Sequence, residues 1–226
     1  MELKKKDFIE VEFTGRTEEG EIFDSNIKED LKSANLELQA TPFVFSIGEN
    51  MFLQGIEEFL IGKDLGNYEI PLTPEKAFGK RNPQLVKIIP IKVFKENKLN
   101  PIPGFMFNFD GRLAKVLSVS GGRVIADFNN PIAGKNVVYK VKVTRKVDDV
   151  NEKAKALVQF FFRRDLKFEI KDKKMTLEIE KEFKQFAELF KDKFKELLDV
   201  DLEVKEIEMK KEEKPTSPES NNKETP

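Results

Sequence analysis

Alternating apolar residues at two distant places constrain the fold of this 226-residue chain more than any other feature. Ile9, Val11 and Phe13 alternate with polar residues, which is typical of a strand that buries one face. Residues 137–143 repeat this pattern much later in the chain. Residues 56–60 instead have the apolar spacing of a short helix. The sequence therefore predicts a β-sheet that packs on one short helix and gains a strand after a long interruption.

The interrupting segment carries a β pattern of its own. Residues 113–119 and 124–128 are two apolar runs on either side of Gly121-Gly122, a pair typical of tight hairpin turns. Both ends of the segment leave the first unit at neighbouring positions, which favours an inserted domain over a tandem one. We expect the insert to span 86–129, and the first unit to comprise 1–85 and 130–148.

A third pattern begins near residue 149. Residues 154–161 form one helical apolar stripe and residues 183–198 a longer one, with two alternating runs between them and a third run after them. This order predicts an αββαβ domain at 149–208. Residues 210–226 are rich in Lys, Glu, Pro, Ser and Asn and have no large apolar residue. The tail at 209–226 is predicted to be disordered.

Composition argues against several classes of protein. Lys and Arg number 40 and Asp and Glu 41, so no net basic charge would attract nucleic acid or an anionic membrane. The chain has no histidine and no cysteine, which argues against metal binding. No signal peptide or membrane span is evident, so the prediction is a cytoplasmic protein. Charged residues make up 36% of the chain, a pattern reported for proteins that work at high temperature.

Short motifs in a fixed order distinguish the first unit from other β domains. They are Val11-Glu12-Phe13-Thr14-Gly15, Ile22-Phe23-Asp24-Ser25, Pro42-Phe43-Val44-Phe45-Ser46-Ile47-Gly48, Leu53-Gln54-Gly55-Ile56-Glu57, Ala77-Phe78-Gly79 and Ala133-Gly134-Lys135-Asn136-Val137-Val138-Tyr139. In order and spacing they resemble the FKBP-type peptidyl-prolyl cis-trans isomerases. The long segment after Gly79 looks like the insert-in-flap domain of SlyD-like members, and the last third looks like the extra domain of long archaeal members.

The resemblance implies an α+β fold, with an FKBP-like antiparallel β-sheet wrapped on a short helix, an inserted small β domain and the C-terminal αββαβ domain. It also implies rotation of X–Pro bonds, whose barrier of about 18–20 kcal/mol makes the uncatalysed step slow. Such a reaction needs no cofactor and no metal. The insert would bind unfolded or partly folded proline-containing polypeptides as a chaperone.

The resemblance further implies which residues form the active site. Asp24, Phe78 and Tyr139 would be catalytic, with Asp24 the one ionisable group that faces the bond. The substrate-binding residues would be Phe13, Phe23, Phe43, Phe52, Leu53 and Ile56. Smaller family members carry tyrosine at the positions of Phe13 and Phe78 and tryptophan at that of Ile56. We therefore expect two hydroxyl groups to be missing from the site.

Several alternatives stay open at this point. Without the resemblance, the aromatic residues would be ordinary core residues and Asp24 a turn or helix-cap residue. The apolar run in the insert is either a strand buried on both faces or an exposed chaperone surface; its members are Ile102, Phe105, Met106, Phe107 and Phe109. The chain could also be a holdase with weak or no isomerase activity. Alternatively, it could be an interaction protein that forms a homodimer or binds another partner through the C-terminal domain.

Overall fold

The computed structural model describes residues 2–109 and 111–207, so the predicted tail at 209–226 lies outside the described residues. The chain forms two compact units that divide between Ala156 and Leu157. No helix in the described part of the chain is long and apolar enough to cross a membrane. The elements of the first unit are β1 (Phe8–Thr17), β2 (Ile22–Ser25), α1 (Lys28–Ser33), β3 (Phe43–Ser46), α2 (Gln54–Leu60), β4 (Gly66–Leu72), β5 (Val86–Pro90), α3 (Ile91–Glu96), β6 (Met106–Phe109), β7 (Arg112–Ser120), β8 (Arg123–Asp127) and β9 (Val137–Lys146).

The first sheet has five strands in the order β2-β1-β9-β4, with β3 paired to β1, and all its pairs are antiparallel. The buried alternating residues of β1 and β9 lie on the same face of the sheet, since Phe13 pairs directly with Val141. We call this the inner face. The short helix α2 contributes Ile56 and Leu60, both fully buried. The predicted sheet with one short helix is confirmed, and α1, a single short helix that buries only Leu31, was not predicted.

The helix α2 lies very close to the sheet. A Cβ atom on Gly55 would come within 2.4 Å of Leu72 Cδ2 and 2.9 Å of the Lys76 carbonyl oxygen. Glycine is required here because any side chain would force the helix away from β4. This close approach fixes α2, and with it Ile56, beside the inner face of the sheet.

The second sheet is antiparallel and belongs to the insert, with the order β5-β8-β7-β6. The predicted Gly121-Gly122 hairpin joins β7 to β8, and both glycines have positive φ, +56° and +76°. One face of the sheet packs on α3 through Phe94, which is fully buried against Val116 and Val124. The insert therefore has a small core of its own, built around one aromatic ring.

The second unit departs from the predicted order. After α4 (Val150–Phe162), which spans the division between the units, come β10 (Phe168–Lys171), β11 (Lys174–Glu180), α5 (Lys184–Glu188), α6 (Lys191–Leu198) and β12 (Asp201–Ile207). The strands lie in the order β10-β11-β12, and β12 is parallel to β11.

The prediction of one long helix over 183–198 is wrong, so the order is αββααβ. The helix is interrupted at Leu189-Phe190, where Phe190 takes φ −97° and ψ 1°. The Phe190 ring stacks on Phe161 with ring centroids 4.2 Å apart. The apolar stripe continues across the break, which explains why residue spacing alone predicts a single helix.

Candidate active site

Six aromatic residues from six separate segments of the first unit meet on the inner face of the first sheet. Adjacent ring centroids lie 4.9 Å apart for Phe13–Phe52, 5.1 Å for Phe43–Phe52, 5.7 Å for Phe52–Tyr139, 5.8 Å for Phe23–Tyr139 and 5.5 Å for Phe23–Phe78. We call these six residues the aromatic cluster. All six were predicted as site residues, so the fold brings together side chains that are far apart in sequence.

Burial differs between the base and the edge of the aromatic cluster. Tyr139 is fully buried and Phe13 nearly so, and Ile56 is also fully buried. The other four rings are half-buried, as is Leu53 at the start of α2. The cluster therefore has a closed base and an apolar edge that solvent, or an apolar ligand, can reach.

Asp24 contributes the carboxylate of this region. The Tyr139 hydroxyl donates a hydrogen bond to Asp24 Oδ2 at 3.0 Å. Burial raises the pKa of Asp24, although the bonds from Tyr139 and from the Ser25 N–H act in the opposite direction. Burial and the adjacent carboxylate raise the pKa of Tyr139 above its usual value, so this hydroxyl stays a donor. The site thus keeps one hydroxyl group although Phe13 and Phe78 have none.

Gly15 makes the contact between Tyr139 and Asp24 sterically feasible. On the central strand β1, Gly15 pairs with Asp24 of β2 on one side and with Tyr139 of β9 on the other. A Cβ atom at this position would lie 2.6 Å from Tyr139 Cζ and 3.0 Å from Phe23 Cζ. The tyrosine ring therefore lies across the space that a side chain on residue 15 would occupy.

Polar side chains fix the strand that carries Phe23 and Asp24. The Ser25 hydroxyl donates to the Phe13 carbonyl at 2.9 Å and lies 3.1 Å from the Thr14 hydroxyl. Asn26 Oδ1 accepts from the Phe13 N–H at 2.7 Å. Sequence reasoning did not single out Thr14 or Asn26; their closeness to Phe13 and Asp24 in the motifs was the available signal.

Comparisons with known proteins point to one family. The family described as FKBP-type peptidyl-prolyl cis-trans isomerase matches residues 1–96, and the one described as FKBP26, IF domain, matches residues 87–132. The short-type peptidyl-prolyl cis-trans isomerase of Methanocaldococcus jannaschii is 30% identical over 145 residues, which cover 62% of this chain and 92% of that protein. This chain belongs to the FKBP-type peptidyl-prolyl cis-trans isomerases.

Bacterial relatives agree with this assignment. A probable FKBP-type 16 kDa isomerase of Pseudomonas fluorescens is 30% identical over 139 residues, covering 60% of this chain and 85% of the relative. SlyD of Aeromonas hydrophila is 27% identical over 146 residues, covering 63% of this chain and 64% of the relative. The protein is therefore a SlyD-like peptidyl-prolyl cis-trans isomerase, an enzyme that acts on X–Pro bonds.

The insert of this isomerase is joined to the first unit beside Phe78. The Gly134 N–H donates to the Gly79 carbonyl at 2.8 Å, so the chain entering the insert and the chain leaving it are bonded together. Asn82 and Asn129 exchange two further hydrogen bonds, at 2.8 and 3.0 Å. Arg81 forms an ion pair with Asp127 at the same place. These contacts hold the base of the insert next to the aromatic cluster.

Part of the predicted chaperone surface is exposed. Phe105 is 64% exposed, and Ile102 and Met106 are each exposed by more than two fifths. Phe107 and Phe109 are half-buried instead, with their rings 4.9 and 6.0 Å from that of Phe94. Three further exposed apolar residues of the insert were missed: Ile88, Leu113 and Leu117.

Four of the exposed apolar residues lie on the same side of the second sheet. Phe107 pairs with Ala114 on the side that packs on α3, so Met106, Leu113 and Leu117 project from the other side. We call Ile88, Met106, Leu113 and Leu117 the open face of the insert. The adjacent apolar residues Val116 and Leu117 were a signal for it, since a strand with one wet face normally alternates.

Proposed function

We propose that the isomerase rotates X–Pro bonds at the aromatic cluster. Proline would lie on the apolar edge formed by the half-buried rings and Leu53, above the base formed by Phe13, Ile56 and Tyr139. Asp24, Phe78 and Tyr139 would be the catalytic residues: Asp24 and Phe78 would contact the reacting amide, and the buried Tyr139 would act through its hydrogen bond to Asp24. The observation that carries this proposal is the hydrogen bond from Tyr139 to the Asp24 carboxylate among aromatic rings, because it places a polar group on an apolar surface.

The chemistry requires a difference in binding, not a nucleophile or an acid. Resonance places negative charge on the oxygen of a planar amide, and this charge separation is lost when the bond is twisted. An apolar surface that removes the amide from water therefore disfavours the planar forms relative to the twisted one. Only such a difference between ground state and transition state accelerates the reaction. Asp24, held by Tyr139, would fix the polarity and orientation of the site.

Removal of the Asp24 carboxylate and of the Phe78 ring should nearly abolish isomerase activity. For an Asp24→Ala, Phe78→Ala double variant we expect kcat/KM to fall about 100-fold in a proline tetrapeptide assay, because contacts specific to the twisted amide are removed. Asp148→Ala, Phe59→Ala is the matched control, since Asp148 is exposed and Phe59 contacts Tyr68 away from the aromatic cluster. A double variant that keeps more than half of the wild-type rate would refute the assignment of the site.

We also propose that the insert binds unfolded or partly folded proline-containing polypeptides through its open face. Exposed apolar residues on one side of a sheet are unusual unless a partner covers them. A cleft of about 400 Å³ runs from this face to the base of the insert; among its lining residues are Met106, Leu117, Ala133 and Gly134. Gly134 is bonded to Gly79, next to Phe78. A polypeptide held in this way would have a raised effective concentration at the aromatic cluster.

The proposal includes a division of the chain into an isomerase domain of residues 1–85 and 130–148, a chaperone insert of 86–129 and a C-terminal domain of 149–208. The separate sheets and the separate core around Phe94 support it. Family membership favours an isomerase over a holdase without activity. Phe183, Phe186 and Leu189 are exposed in the second unit, so an interaction through that unit, with a second copy or another partner, stays a prediction.

Polar substitutions on the open face should weaken catalysis of protein refolding without affecting isomerisation of short peptides. In a Met106→Ser, Leu113→Ser, Leu117→Ser variant we expect kcat/KM for a proline-limited refolding protein to fall about tenfold, because the apolar contact area is removed. Turnover of a tetrapeptide should be unchanged, since it is too short to reach the insert. Ile61→Ser, Leu65→Ser serves as control because both residues are exposed apolar residues outside the insert. Equal loss on both substrates would contradict a separate chaperone surface.

A further inference from the structure

A second buried carboxylate, Glu57, lies beside the aromatic cluster and has no part in the chemistry proposed above. Glu57 is in α2 and is only 2% exposed. A buried charge is costly unless hydrogen bonds replace the lost water. The hydrogen bonds to Glu57 come from the backbone of residues 47–53, which join β3 to α2 and which we call the β3–α2 loop.

Three backbone N–H groups of the β3–α2 loop converge on this one carboxylate. Gly48 and Asn50 donate to Oε2 at 2.7 and 3.1 Å, and Phe52 donates to Oε1 at 2.7 Å. Gly48 and Asn50 have positive φ angles of +88° and +56°. Left-handed residues of this kind can turn nearby N–H groups to one side, as in backbone sites that bind anions. Glu57 is thus an internal anion around which the loop folds.

The β3–α2 loop carries Phe52, which contacts three other rings of the aromatic cluster and also Phe45. Phe52 lies within 6 Å, between ring centroids, of Phe13, Phe43, Phe45 and Tyr139. Its own N–H is one of the three donors to Glu57. Leu53 follows directly, and Ile56 lies in the first turn of α2. The conformation of this loop therefore sets the position of Phe52 and Leu53 relative to Tyr139.

We infer that Glu57 is a positioning residue for isomerisation, whose carboxylate holds the β3–α2 loop so that Phe52 is in place before substrate binds. The inference rests on the proposed site at the aromatic cluster. If the anchor is lost, only a fraction of the molecules has Phe52 in place, and the apparent affinity falls by that fraction. Substrate and transition state both require Phe52 in place, so the loss of binding free energy is the same for both. KM therefore rises while kcat is retained.

Glu57→Gln tests this inference with the smallest change of shape. The glutamine amide group can accept through only one of its two heavy atoms, so it cannot satisfy donors on both sides of the original carboxylate. We expect KM for a proline tetrapeptide to rise about tenfold and kcat to stay within about twofold. Glu58→Gln is the control, since Glu58 is the next residue, carries the same charge, and pairs with Lys76 at 2.5 Å on the exposed side of α2.

Hydrogen exchange of single amides provides a readout that ordinary destabilisation would not give. In the wild-type protein, the amides of Gly48 and Asn50 should exchange slowly although both residues are exposed, because their N–H groups bond to a buried carboxylate. In Glu57→Gln, exchange should accelerate within the β3–α2 loop, while amides of the paired strands β1 and β9 should keep their protection.

Three results would overturn the inference. Fast exchange of Gly48 and Asn50 in the wild-type protein would show that Glu57 does not anchor the loop, even if the variant failed to fold. Unchanged KM in Glu57→Gln would show that the loop does not position the site. A fall in kcat with unchanged KM would show a role in the transition state. Failure of the proposed site itself is recognised separately, as full activity of the Asp24→Ala, Phe78→Ala variant.

Discussion

Alanine at position 15 is expected to reduce kcat/KM about 100-fold, although it adds a single methyl group. That methyl carbon would lie 2.6 Å from Tyr139 Cζ and 3.0 Å from Phe23 Cζ, and both distances are too short for carbon atoms. The Tyr139 ring is rigid and fully buried, so a small side-chain movement cannot relieve such a contact. Tyr139 must move, which breaks its bond to Asp24 and disturbs the contact with Phe23. We expect a stability loss of about 1–3 kcal/mol from the overpacking.

Tetrapeptide kinetics and thermal unfolding of Gly15→Ala measure the two effects. Gly20→Ala is the matched control: no atom lies within 4 Å of its added carbon, and its positive φ of +87° makes it destabilising far from the site. Gly20→Ala should therefore lose stability without losing activity. Tyr139→Phe keeps the ring and removes only the hydroxyl, so its loss should be smaller than that of Gly15→Ala. Wild-type activity in Gly15→Ala would refute the role of the Tyr139–Asp24 contact.

The same residue shows what a sequence can and cannot predict here. Alternation predicts the strands, because burial on one face imposes a period of two residues. The order of the motifs predicts which residues form the site. The role of Gly15 depends on its simultaneous pairing with Asp24 and Tyr139, and therefore on the registers of two strand pairs. The period of two residues determines which face each side chain takes, but which residues pair with Gly15 also depends on the geometry of the turns.

For a related reason, the sequence does not predict which apolar residues of the insert are exposed. Residues 102–109 are apolar at nearly every position, so no period indicates which side faces a core. The side is decided by α3, a six-residue helix too short to give a clear stripe. Phe107 packs on that helix, whereas Phe105 and Met106 do not. Which of these residues are buried and which are exposed can be told only from the position of Phe94 and from the pairing of β6 with β7.

The importance of Phe94 leads to the second large effect. Phe94→Ala is expected to destabilise the insert by about 3–5 kcal/mol, because a buried phenyl ring leaves a cavity that a small core cannot refill. Phe94 is the largest of the three buried residues of this core, the others being Val116 and Val124, and Phe107 also packs on its ring, so it supplies much of the apolar contact that holds the second sheet together. Such a loss is comparable to the total stability of a small domain. The insert should unfold while the first sheet remains folded.

Activity should then depend on the length of the substrate. Phe94→Ala should keep tetrapeptide turnover within about threefold of wild type, because the aromatic cluster takes no residue from the second sheet. For proline-limited refolding, kcat/KM should fall to the value measured with the tetrapeptide, because the insert no longer holds the substrate. Hydrogen exchange of the β5 and β8 amides measures unfolding of the insert, and Lys95→Ala is the control because Lys95 follows Phe94 on α3 but is exposed and lies outside the open face. Loss of tetrapeptide turnover in Phe94→Ala would instead mean that the contacts beside Phe78, including the Gly134–Gly79 bond, transmit the order of the insert to the active site.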